Sequence, residues 1–317
     1  MIGRAKVTVV GAGNVGASCA LWIVAKQLAD VVLVDTPQMD GPTKGKALDL
    51  YECAPIQRFD CSVTGTSDYA DIAGSDIVVL TAGLPRKTGM SRDDLINSNC
   101  AIVKSVGEQI KRHAPESIVI VVSNPLDAMV YTAWKATGFP TNRIVGQAGC
   151  LDIGRFKTFI AEETGFSVED INTLLLGGHG DDMVPLPRFT NIAGIPITEF
   201  MTEQRLGELV DRAKKGGGEI VGLLGTSAYY AVGAAVTQIV EAMVGDKRRI
   251  LPCAGYCTGE YGIDGLFVGV PCVIGKGGLE EILEVSLQPD ESTLLAESAA
   301  HVAELVDVVK QLDPSLA

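Results

Sequence analysis

Residues 6–35 read KVTVVGAGNVGASCALWIVAKQLADVVLVD, and this stretch decides the fold. Lys6–Val10 is a short, mostly β-branched run ended by glycine, the pattern of a buried strand. Residues 11–16 (GAGNVG) read as a turn, 17–28 continue as a helix, and 31–35 (VVLVD) form a second strand. Gly11, Gly13 and Gly16 make GxGxxG, with Ala12, Asn14 and Val15 filling the spaces. Alone that is a weak signal, because the chain holds 36 glycines. Its setting turns it into a dinucleotide fingerprint. The first glycine permits the tight turn, the second lets a pyrophosphate approach the backbone, and the third lets the helix pack on the strand. The helix N-terminus turns free N–H groups and a positive dipole end toward the diphosphate. Asp35 follows nineteen residues after Gly16, ending the second strand. A carboxylate there can accept hydrogen bonds from ribose hydroxyls and repel a 2′-phosphate, so the expected cofactor is NAD rather than NADP. The plainer alternative is a glycine turn that binds nothing, and the strand–turn–helix–strand–Asp order weighs against it.

Outward from this unit the same alternation continues. Residues 61–64 are a candidate third strand, 77–81 (IVVLT) and 118–123 (IVIVVS) are strong strands, and 143–146 is a weak sixth. Near-continuous β-branched runs separated by helices indicate a parallel sheet covered on both faces. Right-handed crossovers then give a doubly wound α/β domain. After about Gly146 the pattern changes. Residues 153–164, 204–215 and 229–243 are expected helices, 249–256, 265–270 and 271–274 antiparallel strands, and 290–312 a closing helix. The expected organisation is a Rossmann domain over 1–146 and an α+β substrate domain over 147–317. Gly216, Gly217 and Gly218 interrupt a helical stretch and read as a bend between helices, with a local hinge as the alternative.

Composition narrows the function classes. The 317 residues carry 47% hydrophobic and 21% charged side chains, so a sizeable core can form. A net charge of −13 argues against a nucleic-acid partner, which calls for a clustered basic surface. No apolar run reaches the ~20 residues of a membrane span, and no signal peptide is apparent. Eight cysteines without a CxxC pair, and only three histidines, argue against a metal site and read as reduced thiols.

Among the histidines, His179 stands out in GGHGDD. Oxidation of a 2-hydroxy acid needs a base for the hydroxyl proton, and the reverse reaction needs an acid. Imidazole serves both near neutral pH. A lone histidine is more often structural, but glycines on both sides and Asp152 upstream favour the chemical reading. His113 and His301 lack such settings and read as solvated helix residues.

Three segments carry a resemblance: TAGLPRKTGMSRDDL at 81–95, VSNP at 122–125 with LDIGRF at 151–156, and GGHGDDMVP at 177–185. With GAGNVG they occur in the order and spacing of the lactate/malate dehydrogenase superfamily. The chain is most similar to its malate dehydrogenases of the lactate dehydrogenase-like group, over nearly its whole length. The resemblance implies that Asp152 accepts a hydrogen bond from His179, orienting it as in a catalytic triad. It implies that Arg155 holds the substrate's C1 carboxylate through a two-pronged guanidinium contact. Arg92, on a closing loop, would polarise the C2 carbonyl. Arg86 would pair with a distal carboxylate, where a lactate dehydrogenase typically has glutamine. Asn124 would bond the substrate oxygen near the nicotinamide ribose, and Thr226 would back the substrate pocket. Val122, Ser123, Asn99, Thr81 and Gly83 would line the cofactor. The family often has proline where this chain has Val232.

The implied activity is reversible oxidation of (S)-malate to oxaloacetate by hydride transfer to NAD, without a metal, in the tricarboxylic acid cycle. A cytoplasmic homotetramer is implied, with a dimer as the alternative. Two rival readings stand beside it: a lactate or other 2-hydroxy-acid dehydrogenase, and a non-catalytic NAD-binding protein on the same fold.

Overall fold

The computed structural model describes residues 3–84 and 92–317. In the first half, β1 (Lys6–Val10), α1 (Asn14–Ala25) and β2 (Asp30–Val34) form the opening unit. Then come α2 (Asp40–Glu52), α3 (Ala54–Gln57), β3 (Val63–Thr66), β4 (Ile77–Leu80) and α4 (Arg92–His113). β5 (Ile118–Val121), α5 (Leu126–Thr137) and β6 (Ile144–Gly146) complete it. These strands run parallel in the order β3-β2-β1-β4-β5-β6. The order reverses between β1 and β4, which opens a crevice at their carboxyl ends, the place where such sheets bind ligands. Alternate strand residues face opposite ways. Val7, Val9, Ile77, Val79 and Ile120 enter one buried cluster, and Val10, Val78, Leu80, Val119 and Val121 another. Both faces are thus covered, which is why the strands read as unbroken apolar runs rather than alternating ones. β3 begins later than expected because its register on β2 pairs Val31 with Val63 and Val34 with Thr66.

The second half contains α6 (Gly149–Thr164), β7 (Ile171–Asn172), β8 (Leu175–Gly177), β9 (Met183–Pro185), β10 (Asn191–Ile192) and β11 (Ile195–Pro196). It continues with α7 (Glu203–Leu224), α8 (Tyr230–Val244), β12 (Arg249–Thr258), β13 (Asp264–Gly275), β14 (Gly278–Ile282) and α9 (Pro289–Leu312). Two sequence expectations are corrected. The glycines at 216–218 do not bend the chain, and α7 runs unbroken through them. The stretch expected as two strands is one, β13, which passes through Pro271. Pro271 faces Pro252 of β12, and its carbonyl accepts from the Leu283 N–H at 2.9 Å, so the missing N–H interrupts little.

The sheet does not stop at β6. β12 joins it antiparallel at Ala254 and Gly146, β13, β8 and β9 follow, and β14 pairs with β13, giving an 11-stranded sheet among the described residues. A Cβ at Gly146 would lie 2.7 Å from the Ala254 Cβ, so glycine permits that junction. α8 crosses α1 as closely: a Cβ at Gly233 would lie 2.7 Å from the Ser18 carbonyl carbon. Val232 is buried in the first turn of α8, in the core shared with α1.

Candidate active site

β8 and β9 pair as a hairpin, Gly177 opposite Met183, and His179 sits in the connection between them. Gly177 has φ +84°, and a Cβ there would stand 2.7 Å from the Asp182 carbonyl oxygen, so the hairpin can close only with glycine. Asp152 and Arg155 lie three apart on α6, hence on one face. The Asp152 carboxylate is 1% exposed and joins both functional side chains. His179 Nδ1 lies 2.9 Å from Asp152 Oδ2, and Arg155 Nη1 donates to Asp152 Oδ1 at 3.0 Å. Among the described residues, the ring's Nε2 makes no hydrogen bond.

Burial acts to lower the His179 pKa, but the charge of Asp152, its hydrogen bond and the field of Asp127 outweigh burial and Arg155, and hold the imidazole above its ordinary value. Arg155 Nε is buried without a partner among the described residues, which suits a site waiting for an anionic ligand. The glycines at 216 and 217 lie against this arginine: a Cβ at Gly216 would stand 3.0 Å from Arg155 Cδ, and one at Gly217 3.6 Å from Nη2. Their smallness makes room for Arg155 rather than bending α7.

Asn124 is exposed at the carboxyl end of β5, preceding a cis peptide bond to Pro125. Three residues on, Asp127 Oδ2 accepts the His179 backbone N–H at 3.3 Å, which ties the Asn124 turn to the histidine loop. Thr226 is half-buried in the link between α7 and α8. Arg86 lies outside the described residues, as do residues 85–91 of the lid expected over 85–94, whose last three residues begin α4. Arg92 opens α4, and its side chain lies outside what the structure describes.

The glycine turn fits a dinucleotide. A Cβ at Gly16 would fall 1.9 Å from the Gly11 carbonyl oxygen, so only glycine allows α1 to pack there. Gly11 has φ +98°. At Gly13 no atom of the described residues would lie within 4 Å of a Cβ, which leaves an open approach to the backbone. Among the described residues no side chain caps α1, so its N-terminal turn, with Asn14 and Val15, suits an anion. Asp35 Oδ2 accepts from the Ala12 N–H at 2.7 Å and Oδ1 from the Thr36 N–H at 2.8 Å. A carboxylate has about four lone-pair sites, so capacity for ribose hydroxyls remains.

Other expected cofactor residues serve the walls. The Thr81 hydroxyl bonds the Val10 and Gly11 carbonyls, each at 2.9 Å. Ser123 donates to the Ala82 carbonyl at 2.5 Å. Val122 and Ser123 are largely buried at the end of β5. Asn99 is 1% exposed. Its amide bonds Leu84 N at 2.7 Å and the Asn124 carbonyl at 2.6 Å, so it holds the loops on either side of the crevice. A Cβ at Gly83 would stand 3.2 Å from the Asn99 side chain. His301, expected as solvated, instead pairs with Asp182 Oδ1 at 2.8 Å, because α9 packs against the histidine loop. His113 ends α4, half-buried. Sequence reading does not single out Asp127, although its place two residues after Asn124-Pro125 was a signal. It had no signal for the role of Gly216.

Comparison with known proteins agrees with this geometry. Residues 5–146 match the lactate/malate dehydrogenase NAD binding domain, and residues 150–312 match the lactate/malate dehydrogenase alpha/beta C-terminal domain. The chain is 55% identical over 310 residues to a malate dehydrogenase of Rhodopirellula baltica, covering 98% of each. A solved malate dehydrogenase from Salinibacter ruber gives a TM-score of 0.93 at 52% identity, over 98% of this chain and 99% of that one. A lactate dehydrogenase from Cryptosporidium parvum, complexed with lactic acid and the dinucleotide, gives 0.94 at 39% identity, over 98% and 99%. The backbone is therefore shared by enzymes of both names, and matches to both domain models span nearly all of the sequence. With its glycine turn, its Asp152-bridged His179 and Arg155, and these matches, the chain belongs to the lactate/malate dehydrogenase family.

Proposed function

We propose that this chain is an NAD-dependent malate dehydrogenase that oxidises (S)-malate to oxaloacetate and runs the reverse reaction. The observation that carries the proposal is the Asp152 carboxylate, which touches the acid/base His179 and the carboxylate-binding Arg155 at once. The glycine turn and Asp35 would hold NAD, whose nicotinamide would supply the acceptor for the hydride leaving C2 of malate. Arg155 binds the C1 carboxylate, and its buried Nε finds a partner there. Arg86 binds the distal carboxylate, and Arg92 polarises the C2 oxygen. Asn124 orients the same oxygen, and Thr226 backs the pocket. His179 takes the hydroxyl proton at Nε2, while Asp152 holds Nδ1 and stabilises the imidazolium. In the reverse direction the same nitrogen returns the proton.

Residues 1–146 hold the dinucleotide and 147–317 supply the acid/base and substrate groups. Gly11, Ala12, Gly13, Asn14, Val15 and Gly16 face the diphosphate, Asp35 the ribose, Thr81 and Gly83 pass under the adenosine side, and Asn99, Val122 and Ser123 line the cofactor. The assembly is a homotetramer, with a dimer the alternative, acting in the cytoplasm in the tricarboxylic acid cycle. The test is absorbance of NADH with oxaloacetate, with pyruvate, and with NADPH in its place. Rapid oxidation of NADH by oxaloacetate alone is expected. Preference for pyruvate would make the chain a lactate dehydrogenase, and no turnover would leave a dinucleotide-binding protein.

A further inference from the structure

The loop that carries His179 is closed from beneath by the C-terminal helix. We propose that Ser298 of α9 is a positioning residue for proton transfer, its hydroxyl fastening both ends of the 178–182 loop so that the imidazole stays on Asp152. The inference rests on the acid/base role proposed for His179. Ser298 Oγ accepts the Gly178 N–H at 2.8 Å and donates to the Asp182 carbonyl at 2.8 Å. A hydroxyl has one proton to give and lone pairs to receive, so this side chain can bridge a backbone donor and a backbone acceptor at once. Gly178 immediately precedes His179, and Asp182 ends the short turn that follows it. One position of helical spacing further on, His301 Nδ1 meets Asp182 Oδ1 at 2.8 Å, a second tie from the same helix.

The packing leaves little slack. A Cβ at Gly177 would lie 2.8 Å from Ser298 Oγ, and one at Gly178 3.4 Å from Val302 Cγ2. Ser298 itself is 6% exposed. The imidazole is restrained by Asp152 at Nδ1 and, through its backbone, by Asp127, while the peptide before it depends on Ser298. Removing the hydroxyl takes away the partner of the buried Gly178 N–H and the tie to the Asp182 carbonyl, and the loop must shift to compensate. A shift of about 1 Å in a reacting group can cost roughly a hundredfold in rate.

The experiment compares wild type with Ser298→Ala in three readings: NADH affinity by fluorescence, kcat and KM for oxaloacetate, and histidine titration by NMR. The chain's three histidines make the NMR tractable, with His179→Asn identifying the signal. The charged groups facing His179 are Asp152 and Arg155 from α6 and Asp127 from α5. Expected for Ser298→Ala are unchanged NADH affinity, kcat lowered roughly ten- to hundredfold, and a His179 titration shifted down as its hold on Asp152 loosens. If that variant does not fold, Ser298→Cys, close in shape and a weaker donor, is read the same way with smaller shifts. An unchanged kcat or an unchanged His179 titration overturns the proposal, even if thermal stability falls. If wild type itself fails to reduce oxaloacetate, the assigned activity fails, and the titration still reports whether Ser298 positions the loop.

Discussion

His179 is held by one contact that matters for chemistry, its 2.9 Å approach to Asp152. His179→Asn removes the proposed proton carrier but leaves the glycine turn untouched. Turnover should vanish while NADH still binds by fluorescence titration; parallel loss of both would mark a structural histidine. The pH dependence follows from the direction of the shift. The folded value stands above the ordinary ~6.5 of imidazole. The folded state therefore favours the imidazolium. The stability this contributes is complete below the ordinary value and is lost as pH rises through the raised one. Oxaloacetate reduction needs the proton and should decline through that raised value, whereas malate oxidation should rise there. Profiles of kcat/KM in both directions check this, and a limb at or below the ordinary imidazole value contradicts it. Asp35 bears on the cofactor in the same local way. Asp35→Ser removes the charge that repels a 2′-phosphate, so NADPH should become a usable substrate. Wild type that already uses NADPH as well as NADH would refute that role. Arg86 is argued from its position in the sequence. If Arg86 pairs with the distal carboxylate as proposed, pyruvate would leave that guanidinium unpaired, a cost of several kcal/mol, and each ~1.4 kcal/mol is tenfold in rate. Arg86→Gln should lower kcat/KM for oxaloacetate and raise it for pyruvate. An unchanged preference would move specificity elsewhere.

At the scale of the element, α7 is the informative case. Three consecutive glycines cost helix stability, about 1 kcal/mol each relative to alanine, yet the helix is continuous. Its other face explains this: Gly216 is buried against Arg155, while Gly218 is exposed with nothing within 4 Å of a built Cβ. One substitution at the two sites should have opposite consequences. Gly218→Ala should raise unfolding free energy by about 0.4–1 kcal/mol with kinetics unchanged. Gly216→Ala should push the Arg155 stem aside by a few tenths of an ångström and raise KM for oxaloacetate with NADH affinity intact. Denaturant melts and steady-state kinetics of both variants decide. Equal effects at 216 and 218 would mean that propensity alone governs the run.

At the scale of the whole molecule, the two halves share structure that a boundary at Gly146 does not divide. The sheet passes from β6 into β12, and one buried cluster contains Val7 and Val9 of β1, Val236 and Ile239 of α8, and Val268 and Val270 of β13. Apolar burial is the main favourable term in folding, so halves with a common core should unfold together. Both tryptophans, Trp22 and Trp134, lie in the first half, so their fluorescence reports that half while far-ultraviolet circular dichroism reports the whole. Coincident transitions in urea are expected. A tryptophan transition separated from the dichroism curve would show two independent units.

What residues 6–35 determine alone is local: β-branched runs make strands, the glycine spacing makes the turn, and Asp35 ends the next strand. The same holds for Asp152 and Arg155, whose helical spacing puts them on one face. Those features depend on neighbours a few positions away, and so they are legible in order. The tertiary structure alone decided that 265–274 is one strand, that α7 is unbroken, and that the sheet is continuous. It also decided the partners of the histidine loop. Asp127 lies 52 residues from His179, and Ser298 lies 120 from Gly178. A contact across such separations is selected by how the chain packs, and a buried hydroxyl on an apolar helix face carries no periodic or positional mark of the carbonyl it will meet.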